Sequence, residues 1–346
     1  MAAVGPGGLL LIDKPQGITS FKVVDHVRRL LLATDPALTP VRGPRGRGMP
    51  RPPRFKCGHA GTLDPMATGL LIVLVGKGSR LSPFLLGQDK TYAATVSFGV
   101  GTDTLDRMGQ TTEQAPVPPT PDGLESVLEG FRGPILQVPP LISALKKDGQ
   151  ALYKRVRSGQ EVAEPEARPV TIRRLELQAV RWGEQKDDAL VHEVDLLVNC
   201  SSGTYVRSLA RDVALAWGTV GHLSALRRLD IGPFALSKAV TGVLEATGEE
   251  LVSHLLPLAA ALPQTPTLVL DTEEAEAIRQ GGQPGADWLK RLDAAPVVVG
   301  KSDPLFRLMD RCGDLVAVGR LDETGTPCTA VVIPRTSPNK DDEICD

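Results

Sequence analysis

The chain has 346 residues, of which 42% are hydrophobic and 23% charged. That suffices for a packed core, and the length suits one large domain plus a small one. The 39 Lys and Arg against 41 Asp and Glu leave a formal net charge of −2, which excludes a globally basic nucleic-acid binder.

The distribution of charge says more than its sum. Arg42, Arg45, Arg47, Arg51, Arg54 and Lys56 crowd one early stretch, while Asp341, Asp342, Glu343 and Asp346 lie at the other end. A near-neutral total therefore hides a basic segment of the kind that polyphosphate binding needs. The five cysteines are scattered without a C-x-x-C pair, so neither a zinc site nor a disulfide framework is expected, and a reducing compartment fits. A cytoplasmic location follows as the expectation, with plastid or mitochondrion as the alternative if the chain is a mature form. The five histidines form no ligand cluster, and no run approaches the length of a membrane span.

In chain order, Leu9 to Ile12 reads as a strand and Asp13 to Gly17 as its turn. Ser20 is expected to cap a helix whose apolar positions 23, 24, 27, 30 and 31 fall at helical spacing. Residues 33–56, rich in proline, glycine and arginine, form a basic loop insertion. Lys90 to Phe98 is a strand, residues 99–106 its closing turn, and Leu124 to Phe131 a short helix ending at a glycine. Val170 to Ile172 and Val191 to Val198 are strands. Tyr205 to Trp217 is a helix with Val206, Leu209, Val213 and Ala216 on one face. Strands and helices without regular alternation predict an α+β domain over 1–263. A break near Leu262 to Pro266 precedes a compact, mostly β module over 264–335, containing a helix from Glu273 to Gln280. Residues 336–346 are an acidic tail.

The segment Gly58-His59-Ala60-Gly61-Thr62-Leu63-Asp64-Pro65-Met66-Ala67-Thr68-Gly69 carries the most information. It sets an imidazole and a carboxylate in a glycine-bounded loop, where a ligand can come close to the backbone. The bland reading of a lone Asp-Pro is a helix cap with proline in the first turn. For Tyr92, in a strand, the bland reading is core packing. Arg207 stands at a helix entrance, where a cation is unfavourable unless it meets a carboxylate or phosphate. Lys146-Lys147, Lys154-Arg155, Arg157, Arg173-Arg174 and Arg227-Arg228 read as solvated faces, or together as a surface that neutralises an RNA backbone. Gly76-Lys77-Gly78-Ser79 lacks the first glycine and the Ser/Thr of a P-loop, and no hydrolase elbow or dinucleotide fingerprint is present.

Taken in order, Lys14-Pro15-Gln16-Gly17-Ile18-Thr19-Ser20, Gly58 to Pro65, Lys90-Thr91-Tyr92, Thr102 to Asp106, Val138-Pro139-Pro140 to Ser143-Ala144-Leu145-Lys146, Arg168-Pro169-Val170, Gly203-Thr204-Tyr205-Val206-Arg207 and His222 to Arg228 resemble the TruB-type tRNA pseudouridine synthases, in their bacterial and organellar form. The resemblance runs from about Leu9 to Phe234. The C-terminal module is similar to a PUA-type RNA-binding domain. The resemblance implies a pseudouridine synthase fold, with a mixed, largely antiparallel sheet flanked by helices. It implies an isomerase that converts uridine in the T-loop of tRNA, at position 55, to pseudouridine. Asp64 would be the catalytic aspartate and Arg207 its pairing cation. Tyr92 would stack on the target uracil, and Tyr205 and Leu226 would line the pocket. His59 would hold the flipped-out RNA, and Lys14 and Pro15 would support the loop. Residues 138–169 would be a thumb gripping the T-arm. Ile142 departs from the family's usual Tyr.

That chemistry needs no cofactor and no metal, because breaking the N-glycosidic bond and rejoining through C5 is neither redox nor bimolecular. A carboxylate can act covalently or assist proton removal from the sugar, and the residues alone leave both open. The partner implied is tRNA through its T-arm, with no membrane, no obligate protein partner and a monomeric enzyme. The rival reading is a non-catalytic RNA-binding or tRNA-folding protein using the same surfaces. The combination of Asp64, Tyr92 and Arg207 weighs against it, since a binder has no need of a buried acid.

Overall fold

The computed structural model of the chain describes residues 4–5, 7–35, 38, 55–143, 146–147, 150–151, 165–186, 189–300 and 302–335. Most of the basic loop insertion (36–37 and 39–54), much of the expected thumb (144–145, 148–149 and 152–164) and the acidic tail lie outside the described residues.

The elements begin with β1 (Gly7–Lys14), α1 (Ser20–Thr34), β2 (Cys57–His59), β3 (Thr68–Gly76) and α2 (Ser82–Leu86). There follow β4 (Lys90–Phe98), β5 (Val100–Thr102), β6 (Thr111–Gln114), α3 (Leu124–Glu129), β7 (Gly133–Gln137), β8 (Lys146–Lys147) and β9 (Gln150–Ala151). Next come β10 (Arg168–Lys186), β11 (Ala189–Cys200), α4 (Val206–Ala216), β12 (Gly221–Ile231), β13 (Phe234–Ala235) and α5 (Gly248–Ser253). The last are β14 (Thr267–Val269), α6 (Thr272–Arg279), β15 (Val297–Val298), β16 (Pro304–Met309), β17 (Leu315–Leu321) and β18 (Pro327–Val332). The fold is α+β, and the chain divides into two compact units: residues 1–65, 69–88 and 231–346, and residues 66–68 and 89–230.

In the first unit β1 pairs antiparallel with β3, from Gly7 opposite Gly76 to Lys14 opposite Gly69. Successive side chains of a strand point to opposite faces. Leu9 and Leu11 with Leu70, Ile72 and Leu74 therefore enter one core. Leu10 and Ile12 with Leu71, Val73 and Val75 enter another, against Val23, Val24, Val27 and Leu31 of α1. Burial on both faces explains why the run from Leu70 to Val75 shows no polar alternation.

The C-terminal strands form a five-stranded sheet in the order β14-β16-β17-β18, with β15 also on β16. Leu268, Leu270, Ala275 and Ile278 pack on one side with Phe306, Leu308 and Val316. Val299, Leu305, Met309, Leu315, Val318 and Ile333 join the core that holds Leu9, Leu74 and Leu81. Helix α6 starts at Asp271 with a full capping box, Asp271 accepting from the Glu274 amide and Glu274 from the Asp271 amide.

In the second unit β4 alternates as expected, with Lys90, Tyr92, Ala94, Val96 and Phe98 buried. It pairs with β11 from Lys90 opposite Cys200 to Ser97 opposite Glu193. Strand β11 pairs with the long β10, which pairs in turn with β7.

Three local expectations need correction. Thr19, not Ser20, caps α1: its hydroxyl accepts from the Lys22 amide. The buried face of α4 uses Ala214 in place of Ala216 and includes Arg207 and Ser208. Arg227-Arg228 is not a solvated pair, for β12 turns Arg228 inward, where it is 1% exposed.

Lys90 is a second buried cation, 7% exposed. Burial, and after it the Arg228 guanidinium, push its ammonium down to about 8. Between that value and the ordinary lysine value near 10.4 the unfolded chain holds more protons than the folded one, so Lys90 makes stability rise with pH across that window. The Cys200 thiol, raised to about 11 by burial, acts in the opposite sense as pH passes from its ordinary value to 11. Comparison with Lys90→Met isolates the lysine. Unfolding free energies of the wild type, from urea denaturation, should gain on those of the variant by a few kcal/mol in total from pH 8 to about 10.4, at about 1.4 kcal/mol per pH unit. A constant difference across that range would show that Lys90 titrates normally.

Candidate active site

The Asp64 loop connects β2 to β3 and contains no helix; a turn at Pro65-Met66 leads straight into the strand. The capping reading of Asp-Pro is therefore excluded. Gly61 (φ +110°) and Gly69 (φ +99°) bracket the loop in backbone conformations that L side chains rarely adopt. Between them Leu63 is buried and Asp64 half-buried.

The residues on either side of Asp64 are fixed to the β1–α1 connection. The Ser20 hydroxyl donates to the Leu63 carbonyl at 3.0 Å and accepts from the Leu63 amide at 2.9 Å. The Pro65 carbonyl accepts from the Gly17 amide at 2.8 Å. Lys14, fully buried at the end of β1, places its ammonium 2.8 Å from the Pro15 carbonyl and 3.5 Å from that of Pro65. Lys14 thereby links the end of β1 to the Pro65 backbone. His59 lies on β2 opposite Val73 and is half-buried.

The remaining predicted residues belong to the second unit. Tyr92 lies on β4 opposite Val198 and is 8% exposed. Leu226 lies on β12, 9% exposed. Tyr205 occupies the N-cap position of α4, and its backbone amide and carbonyl are both bound by the side-chain amide of Gln137, at 2.8 and 3.1 Å. Ser208, one turn into α4, donates to the Val138 carbonyl at 2.8 Å. The first turn of α4 is thereby tied to the end of β7.

Arg207 is 5% exposed. Its guanidinium donates to the Thr104 carbonyl at 2.7 Å and the Ile142 carbonyl at 3.1 Å. Its Nε lies 3.7 Å from the Asp106 carboxylate, a charge contact longer than a hydrogen bond. This acid answers the electrostatic objection to a cation at a helix entrance. Asp106 also accepts from the Thr104 hydroxyl at 2.8 Å and the Met108 amide at 2.9 Å. Its backbone is bridged to Leu223 of β12, and Leu105 before it adopts φ +61°, a left-handed conformation that costs a leucine on the order of 1 kcal/mol or more.

Ser20 and Asp106 each close a motif that carries the resemblance, Lys14–Ser20 and Thr102–Asp106, but sequence reasoning assigned Ser20 only a capping role and Asp106 none. Gln137 left no signal. Among the described residues no group of three or more His, Cys, Asp and Glu is arranged to hold a metal ion.

Comparison with known proteins bears on the chain as a whole. Residues 51–206 match the model of the TruB family pseudouridylate synthase N-terminal domain. The tRNA pseudouridine synthase B of Aromatoleum aromaticum is 44% identical over 276 residues, covering 79% of this chain and 80% of that protein. The chain belongs to the TruB family of pseudouridylate synthases. The tRNA pseudouridine synthase B of Corynebacterium diphtheriae is 38% identical over 313 residues, covering 88% of this chain and 93% of that protein. A crystal structure of a Cbf5-Nop10-Gar1 complex shares the fold, with a TM-score of 0.66 at 24% identity over 96% of this chain and 86% of that one. TruB membership makes the chain a tRNA pseudouridine synthase, an isomerase whose reaction neither adds nor removes atoms.

Proposed function

We propose that this chain isomerises the uridine at position 55 in the T-loop of tRNA to pseudouridine, with Asp64 as the catalytic aspartate. The supporting observation is the bracing of the Asp64 loop. A carboxylate that caps no helix, flanked on both sides by residues pinned to a neighbouring connection, is held for a purpose other than local structure.

The reaction breaks the bond between C1′ of the ribose and N1 of uracil, turns the base, and joins C1′ to C5. The proton lost from C5 is balanced by the one gained at N1. In this reading Asp64 acts on the sugar or its proton, and Tyr92 stacks on the uracil. Extruding the base costs a few kcal/mol, and stacking at roughly 1–3 kcal/mol per base offsets it. Tyr205, Arg207 and Leu226 contribute to substrate binding, and His59 holds the extruded nucleotide. The C-terminal module, residues 264–335, adds a PUA-like RNA-binding surface. The enzyme works as a monomer without a protein partner.

Transfer RNA carrying tritium at uridine C5 provides the test. A single equivalent should be released per tRNA, and replacing the T-loop uridine with cytidine should abolish release. Undiminished release from the cytidine substrate would place the target elsewhere in the RNA. Binding without any release would leave a tRNA-binding protein.

A further inference from the structure

The two hydroxyls at the start of α1 are adjacent in sequence and do different work. Thr19 is exposed and caps the helix. Ser20 is 1% exposed and spends its hydroxyl on Leu63 instead. A hydroxyl can donate and accept at one atom. Ser20 Oγ uses both capacities on the amide and carbonyl of the same residue, 43 positions away in the chain. This fixes the peptide planes on both sides of Leu63, the second of which leads into Asp64.

We propose that Ser20 is a positioning residue for the reaction: it sets the backbone from which the Asp64 carboxylate reaches the sugar. The inference rests on the reading of Asp64 as the catalytic aspartate. Pro65, on the far side, is held by Gly17 and Lys14, so the loop is clamped before and after the reacting residue. The Leu63 clamp differs in being made entirely by one small side chain, with both partners buried. Without it, the Leu63 amide and carbonyl lose their bonds to Ser20, and the loop is free to shift by the ångström or so that degrades a near-attack geometry.

Single-turnover pseudouridine formation and tRNA binding are measured on Ser20→Ala, Ser20→Cys, Thr19→Ala and Asp64→Asn. Ser20→Ala should lower the single-turnover rate about ten- to a hundredfold, with tRNA affinity within about twofold of wild type. Ser20→Cys keeps the size and a weak donor and should fall between; its rate decides the matter if Ser20→Ala does not fold. Thr19→Ala should lower the unfolding midpoint through the lost cap yet leave the rate unchanged, which separates placement of the loop from stability of α1. A wild-type rate in Ser20→Ala or Ser20→Cys, while Asp64→Asn is inert, overturns the role of Ser20 and leaves the proposed function standing. An equal loss of rate in Thr19→Ala also overturns it, since the effect would then be helix stability. An active Asp64→Asn overturns the reading of Asp64 as the catalytic aspartate and, with it, the role of Ser20, while the isomerisation itself stands.

Discussion

Asp64→Asn is expected to abolish pseudouridine formation, by at least about a thousandfold, while the protein folds and binds tRNA. The substitution is isosteric and removes only the charge and the nucleophilic oxygen. The loop should survive it, because its bracing runs through Leu63 and Pro65: Ser20 holds the first, and Gly17 and Lys14 the second. Removing a negative charge next to a polyanion should leave affinity for tRNA unchanged or slightly higher. Tritium release from C5-labelled tRNA reads the chemistry, filter binding reads the affinity, and the thermal midpoint reads the fold. Release at the wild-type rate would remove Asp64 from the mechanism. Loss of binding in parallel with loss of rate would make it a structural residue.

Arg207→Met is expected to destabilise the protein by about 3–5 kcal/mol in urea denaturation. The guanidinium serves several oxygens, among them two carbonyls and the Asp106 carboxylate. The side chains of the ion pair are 6% and 7% exposed, so removing the cation strands an acid in the interior. Replacing both partners should therefore be milder than replacing one, and Arg207→Met with Asp106→Leu should unfold at higher urea than Arg207→Met alone. Arg207→Lys keeps the charge, but a single ammonium cannot reproduce a planar fork reaching these acceptors together, so only part of the stability should return. Additive losses in the double variant would mean that the pair does not interact energetically.

Legibility in the sequence followed the distance over which each feature is decided. Strand β4 announces itself in alternation, because its pattern is local and one face is buried. The α1 helix is announced by its 3.6-residue spacing. The division of labour between Thr19 and Ser20 is not announced, because either hydroxyl could cap and the choice depends on Leu63 arriving from another loop. Arg228 reads as a surface cation in any window of sequence; only the pleat of β12 turns it inward. Asp64 is marked as unusual by its glycines, but the helix-cap alternative falls only because β3 follows directly. Gln137 carries no signal, since a glutamine at a strand end is ordinarily solvated and its two hydrogen bonds to the Tyr205 backbone depend on where α4 begins.

The core that seats Leu9 and Leu74 also takes Leu305, Val318 and Ile333, and near it Arg80 donates to the Val332 carbonyl at 3.2 Å. A ribosome delivers Leu9 long before Leu305, on the order of tens of seconds at ordinary elongation rates. During that interval one face of the β1–β3 pair has no completed lining, and the nascent chain displays it to whatever is near. Premature termination between β12 and β16 would make that exposure permanent, leaving a product for chaperones and proteases even though every residue given a part in the chemistry had already been translated.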